Sequence, residues 1–263
     1  MSITFGKALT ITGESGIRVS GILTMPPRAR ACYVVAHGAG AGMNHPFMAA
    51  VAEGLAARGI ATLRYQFPYM ERGSKRPDTP AMAHATVRAA VDAATRLKPK
   101  LPLIAGGKSF GGRMTSQAQA SAPLPCAGLV FLGFPLHPAG RPSSDRAKHL
   151  FEIKIPMLFL QGTRDTLAEL SELKPVCKKL GRLATLKLFE DADHSFHVPA
   201  RSGRKDAEVL GGVLDTLAAW IGDVIAGETR LQSMIRKSMP SDLIRGWTSG
   251  FPKTSCSNKK SRP

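Results

Sequence analysis

Leu101-Pro-Leu-Ile-Ala-Gly-Gly-Lys-Ser-Phe-Gly-Gly-Arg-Met114 reads as a strand, a sharp turn and the start of a helix. Residues 103–105 form the short apolar run of a strand buried on both faces, and Gly107-Lys-Ser-Phe-Gly111 fits G-x-S-x-G. A serine at the apex of such a turn has a strained backbone, and chain passes close to chain two residues to either side. Both flanking positions must therefore lack a Cβ, as Gly107 and Gly111 do. A phosphate-cradling G-x-x-x-x-G-K-S loop ending at Ser109 is the rival reading, but it needs glycine at 102, where Pro102 stands.

Strands and helices alternate outward from this turn. On its N-terminal side, residues 31–36 form a buried-type strand that runs into His37-Gly-Ala-Gly-Ala-Gly42. Residues 46–58 read as an amphipathic helix closed by Gly59, residues 60–65 as the next strand, and residues 81–97 as a helix that follows a proline-rich loop. The chain opens on a hairpin over residues 3–25, ended by Pro26-Pro27. On the C-terminal side, a helix over 110–120 starts directly behind Ser109 and turns its positive end toward the hydroxyl. Strands follow at 128–133, 157–161 and 184–189, with helices from about 167 to 180 and from 205 to 225. This order predicts an α/β fold: a mostly parallel sheet of about eight strands with helices on both faces. The roughly twenty residues between the strands ending at 133 and starting at 157 are too few for a large lid domain.

Acyl transfer by a serine requires a histidine to take the hydroxyl proton and an acid to orient that histidine. Ser109, Asp165 and His194 each follow a predicted strand, in the order nucleophile, acid, base, and are the candidate catalytic residues. His197 is the alternative base; His194 is preferred because it comes first after the strand. Asp191, Asp193 and His197 crowd His194 like metal ligands, yet the cluster lacks a third partner elsewhere in the chain, so neither metal nor other cofactor is expected. The glycine-rich loop at 37–42 has two readings. It either turns N–H groups toward an anion, with Ala39 and Phe110 forming an oxyanion hole, or it is an ordinary strand-to-helix turn. Lys108, Arg113, His137 and Arg141 either gather around the reacting carbonyl and select an anionic substrate, or Lys108 and Arg113 point into solvent or pair with sheet-edge acids. His37, Gly40, Lys108, His137 and Arg141 are the candidate substrate-binding residues.

Five motifs make the chain resemble the α/β-hydrolase superfamily: His37-Gly-Ala-Gly40, Gly106-Gly-Lys-Ser-Phe-Gly-Gly-Arg113, Gly133-Phe-Pro-Leu-His-Pro138, Gln161-Gly-Thr-Arg-Asp165 and Asp191-Ala-Asp-His-Ser-Phe196. Within it the chain resembles the small, lid-less dienelactone-hydrolase-like branch, and most closely the testis-expressed hydrolase and NSL-complex-subunit group. The resemblance covers roughly residues 2–226. It implies the α/β-hydrolase fold and an intact Ser-Asp-His triad whose natural substrate is poorly defined; the triad's chemistry leads us to expect a small-molecule ester, thioester or similar acyl substrate. Some members of that group look like complex subunits, and the alternative is a hydrolase-shaped binding or scaffold protein that uses its basic surface to engage an acidic partner. The complete triad favours the enzyme, since a scaffold has no physical need of all three residues.

Composition bounds the rest. A chain of 263 residues, 43% hydrophobic, can bury one sizeable core. The formal charge is +17. Residues 227–263 hold eight Lys/Arg against two acids, a net of +6, which leaves +11 for residues 1–226. We therefore expect a hydrolase domain over 1–226 and a basic, partly disordered extension over 227–263. The extension reads either as a solvated tail or as an arm for nucleic acid or membrane. Cys32, Cys126, Cys177 and Cys256 are scattered and form no C-x-x-C pair. With no apolar leader after Met1, they point to a reducing, cytoplasmic setting.

Overall fold

The computed structural model describes residues 6–98 and 100–238. Eight strands form one sheet: β1 (Lys7–Thr12), β2 (Arg18–Thr24), β3 (Ala31–Ala36), β4 (Ile60–Tyr65), β5 (Leu103–Lys108), β6 (Gly128–Leu132), β7 (Met157–Gly162) and β8 (Ala184–Phe189). Their spatial order is β1-β2-β4-β3-β5-β6-β7-β8. β2 pairs antiparallel with both β1 and β4, and every other neighbouring pair is parallel. The helices are α1 (Pro46–Ala56), α2 (Pro68–Glu71), α3 (Pro80–Leu97), α4 (Phe110–Ser121), α5 (Leu170–Leu180) and α6 (Asp206–Ser238).

The alternation of side chains along β3 shows why the central strands β3 and β6 are apolar throughout. Ala31, Tyr33 and Val35 pack in one core layer with Met48, Val51 and Leu55 of α1 and Val209, Val213 and Leu217 of α6. Cys32, Val34 and Ala36 pack in the opposite layer with Val87 and Val91 of α3, Met114 of α4 and Leu173 of α5. Helices thus cover both faces, and a strand with no solvent side keeps no polar alternation. Each large apolar side chain so buried contributes about 1.5–3 kcal/mol. An ion pair such as Lys148–Asp145, with both side chains more than 70% exposed, is screened by water and adds little, so the two core layers hold the sheet together. α6 is apolar enough over Asp206–Arg230 to cross a membrane by length and composition alone, but that apolarity includes the stripe buried against the sheet.

The helix starts follow from their caps. Pro46 and Pro80 occupy first-turn positions of α1 and α3, behind His45, whose Nδ1 accepts the Phe47 N–H at 3.2 Å, and Thr79, whose hydroxyl accepts the Met82 N–H at 3.4 Å. Two helix boundaries differ from the sequence reading. α5 begins at Leu170 rather than near 167, because the Asp165 carboxylate takes the Leu167 N–H and the His137 ring takes the Glu169 N–H, which holds the chain between them in a turn. α6 does not stop at 225 but continues to Ser238, over a stretch of good helix formers that meets its first proline only at Pro240.

The chain divides into two compact units, Met1–Ile225 and Ala226–Pro263. Most of the expected basic extension, residues 239–263, lies outside the described residues. Between β6 and β7 the described chain forms a loop with one 3-10 segment, Asp145–Glu152, and no lid domain.

Candidate active site

Ser109 joins β5 to α4 with φ 49° and ψ −115°, a conformation that non-glycine residues adopt only where the surroundings enforce it. Enforcement comes from both sides. The Ser109 N–H donates to the Leu132 carbonyl at 3.3 Å, and its own carbonyl accepts the Arg113 N–H at 3.1 Å to start the helix. A Cβ on Gly107 would lie 2.4 Å from the Ala36 oxygen, and one on Gly111 2.6 Å from the carbonyl oxygens of Ala36 and His37. Backbone cannot yield as a flexible side chain can. Gly111→Ala is therefore expected to destabilise the protein by about 1–3 kcal/mol, read as a lower urea midpoint at unchanged slope.

Three side chains meet in line above this turn. His194 Nε2 lies 2.8 Å from Ser109 Oγ, and His194 Nδ1 lies 2.6 Å from Asp165 Oδ2. The Asp165 side chain is fully buried, whereas that of His194 is 20% exposed, so the imidazole alone of the two can meet a ligand. Asp165 Oδ2 also accepts from Gln161 Nε2, and Oδ1 accepts the Leu167 N–H at 2.8 Å. An ionised carboxylate only accepts, so His194 Nδ1 carries the proton and Nε2 is left free to accept the serine hydroxyl. Gln161 itself is anchored by the Phe134 N–H, which donates to its Oε1 at 2.9 Å. The sequence assigns Gln161 no role beyond its place in the motif that ends at Asp165; its signal is a polar residue at the end of the otherwise apolar run Met157-Leu-Phe-Leu160.

The acids around His194 shape its loop. Asp193 Oδ1 accepts the N–H groups of Ser195 and His197 at 2.7 and 3.0 Å. Asp191 turns in the left-handed region, φ 58°, with its N–H on Thr163 Oγ1. His197 pairs with Asp206, Nδ1 to Oδ2 at 2.8 Å, well exposed at the cavity rim.

Among the described residues, the N–H groups of Ala39 and Phe110 donate to no protein acceptor, while the Gly40 N–H is taken by Tyr69 Oη at 3.0 Å. The expected substrate contacts of His37, Gly40, His137 and Arg141 are not assembled. His37 and His137 have no exposed surface, and each is a staple between loops. The His37 ring donates from Nδ1 to the Gly38 carbonyl at 2.7 Å and accepts the Phe67 N–H on Nε2 at 3.2 Å. His137 repeats the pattern with the Pro138 carbonyl at 2.9 Å and the Glu169 N–H at 3.1 Å. Burial holds the His37 ring below its usual pKa, in keeping with this neutral role. Arg141 is exposed and off the cavity wall. Arg113 sits by Arg146 instead: burial first, then the charge of Arg146, keep its guanidinium below its usual range.

The cavity that opens on Ser109 and His194 has a volume of about 430 Å³. Phe47, Met48 and Leu167 line it with apolar surface; Lys108, the only one of the four expected cations on its wall, and the rim residues His45 and His197 add polar atoms. His45, Phe47 and Leu167 escaped sequence reasoning because nothing in their spacing tells a cavity wall from an ordinary helix start or loop.

A serine on a strained elbow, a histidine and a buried acid, set at the ends of parallel strands, define the esterase-like hydrolases. A family model for the alpha/beta hydrolase domain matches residues 29–222, and the chain belongs to that family. Its fold is similar to that of XC6422 from Xanthomonas campestris, described as an α/β serine hydrolase without lid, at 22% identity and a TM-score of 0.64 over 82% of this chain and 94% of that one. It is also similar to a dienelactone hydrolase from Anabaena variabilis, at 21% identity and a TM-score of 0.69 over 84% and 98% of the two chains. Est1E from Butyrivibrio proteoclasticus, seen with ferulic acid bound, matches at 17% identity and a TM-score of 0.66 over 83% and 99%. At these identities the likeness is one of fold.

Proposed function

We propose that this chain is a serine hydrolase that cleaves a carboxylic ester, thioester or related acyl substrate through an acyl-enzyme on Ser109. The observation that carries this reading is the unbroken line from Ser109 Oγ through His194 to Asp165, with contacts of 2.8 and 2.6 Å. Ser109 Oγ attacks the carbonyl while His194 Nε2 takes its proton, and Asp165 steadies the imidazolium that forms. The N–H groups of Ala39 and Phe110 receive the oxyanion; loss of one such donor typically costs about 3 kcal/mol of barrier. The intermediate collapses as His194 returns the proton to the leaving alcohol or thiol. A water, deprotonated by the same Nε2, then releases the acid and frees Ser109.

The apolar wall of Phe47, Met48 and Leu167, which Arg113, His137 and Arg141 do not join, favours an uncharged acyl or alkoxy group of modest size over an anionic one. The motifs around Ser109, Asp165 and His194 support membership of the testis-expressed hydrolase and NSL-complex-subunit group. A fluorophosphonate probe tests the activity without knowledge of the substrate: it is expected to label the wild type at Ser109 and to leave Ser109→Ala unlabelled. Labelling of the alanine variant at the same rate would refute the assignment of the nucleophile.

A further inference from the structure

One side chain ties together the segments that surround the serine. Lys108 leaves β5 one residue before Ser109. Its stem passes the glycine loop, where a Cβ on Gly38 would lie 3.5 Å from its Cγ. The ammonium lies 6.0 Å from the centroid of the Phe47 ring on α1 and 5.8 Å from that of Phe196, and the two rings are parallel within 3°. Gly133, just after β6, leaves the space the ammonium needs: a Cβ there would lie 2.9 Å from Nζ and 3.3 Å from Cε1 of His194. Nζ donates its hydrogen bond to the backbone carbonyl of His194.

We propose that Lys108 is a positioning residue of the reaction, whose ammonium fastens the carbonyl of His194 to the strand bearing Ser109 and so holds the imidazole within reach of the hydroxyl. This role rests on the serine hydrolase reading and adds to it a group that touches neither the reacting atoms nor the proton they exchange. A charged donor makes a hydrogen bond roughly twice as strong as a neutral one. Misplacement of reacting groups by about 1 Å costs on the order of 100-fold in rate.

The tether is sensitive to pH. Burial pushes the Lys108 ammonium down to about 8, against the pull of Asp165 and Asp193. These two carboxylates and the His194 imidazole are the titratable groups facing it from the loops after β7 and β8; Phe47 and Phe196 bring no charge, and His45, His197 and Asp206 share the cavity wall. A donor with a lowered pKa is charged below that pKa and neutral above it, so the strong tether is lost as pH rises through about 8.

The experiment is the kcat–pH profile of the full chain on a neutral short-chain ester, for wild type, Lys108→Met and Lys108→Arg, with the thermal midpoint of each. The wild type should show a descending limb near pH 8. Lys108→Met, which keeps an apolar stem, should lose about 10- to 100-fold in kcat with KM changed less than about threefold, and should lack that limb. Lys108→Arg, charged at every pH used, should regain part of the kcat and show no fall up to about pH 10. A limb that stays near pH 8 in Lys108→Arg overturns the proposal, as does a Lys108→Met that keeps kcat within about twofold. A raised KM at unchanged kcat overturns it too, by making Lys108 a substrate contact. Should Lys108→Met fail to fold, Lys108→Arg still decides, since a limb near pH 8 that it shares with the wild type excludes the tether. Failure of the underlying reading looks different: the wild type itself would then take no fluorophosphonate label.

Discussion

His194→Ala is expected to lower kcat on a short-chain ester by about 10,000-fold or more, while His197→Ala keeps it within about threefold. The two histidines stand in one loop, three residues apart, and the sequence prefers His194 only because it comes first after the strand. Geometry separates them. His194 has its Nδ1 proton on a buried carboxylate and its Nε2 open to Ser109. His197 gives Nδ1 to Asp206, and its hydrogen bond with that acid, followed by the acid's charge, holds the imidazole protonated to higher pH than usual. A histidine kept protonated by an exposed partner is a poor acceptor for a serine proton. Removing it opens the cavity rim and leaves the triad in place. Steady-state kinetics of the two variants on one ester decide the matter; a dead His197→Ala beside an active His194→Ala would move the base three residues along the loop.

The sheet was legible in the sequence because burial on both faces leaves its mark in composition: Ala31–Ala36, Gly128–Leu132 and the start of β7 have no polar alternation to confuse. The elbow was legible because close backbone approach excludes a Cβ at Gly107 and Gly111, a demand that a short motif records. Side-chain direction leaves no such record. His37 and His137 follow strands and precede glycine or proline, as ligand-binding residues often do, yet their rings turn inward to satisfy the N–H groups of Phe67 and Glu169 from loops about thirty residues away. Lys108 was expected at the substrate, in solvent or paired with a sheet-edge acid; it does line the cavity, but its ammonium is committed to the His194 carbonyl, a group brought near by the folding of β8 beside β7. The length of α6 was misread for another reason. Amphipathic spacing against the core fades near Ile225, but good helix formers carry the backbone on to Ser238 after the packing signal ends.

Asp165→Asn is expected to lower kcat by about 1,000- to 10,000-fold and to destabilise the fold by about 1–3 kcal/mol. The carboxylate faces three donors: His194 Nδ1 and Gln161 Nε2 at Oδ2, and the Leu167 N–H at Oδ1. An asparagine offers one oxygen and one NH2 group in their place, so at least one donor must face another. With the NH2 toward His194, the imidazole has to shift its proton to Nε2, which then presents an N–H to Ser109 and can no longer take the hydroxyl proton. Gln161 cannot turn over to relieve the conflict, because its Oε1 is held by the Phe134 N–H at 2.9 Å. With the NH2 toward Leu167, the useful tautomer survives, but a backbone N–H is left facing a donor in a buried site, and the imidazolium formed during attack has no counter-charge. Either orientation lowers the rate and the stability together. The check is kcat on a neutral ester and the urea midpoint, measured on the same preparation. A loss below about tenfold at an unchanged midpoint would mean that the buried charge of Asp165 is not what orients His194.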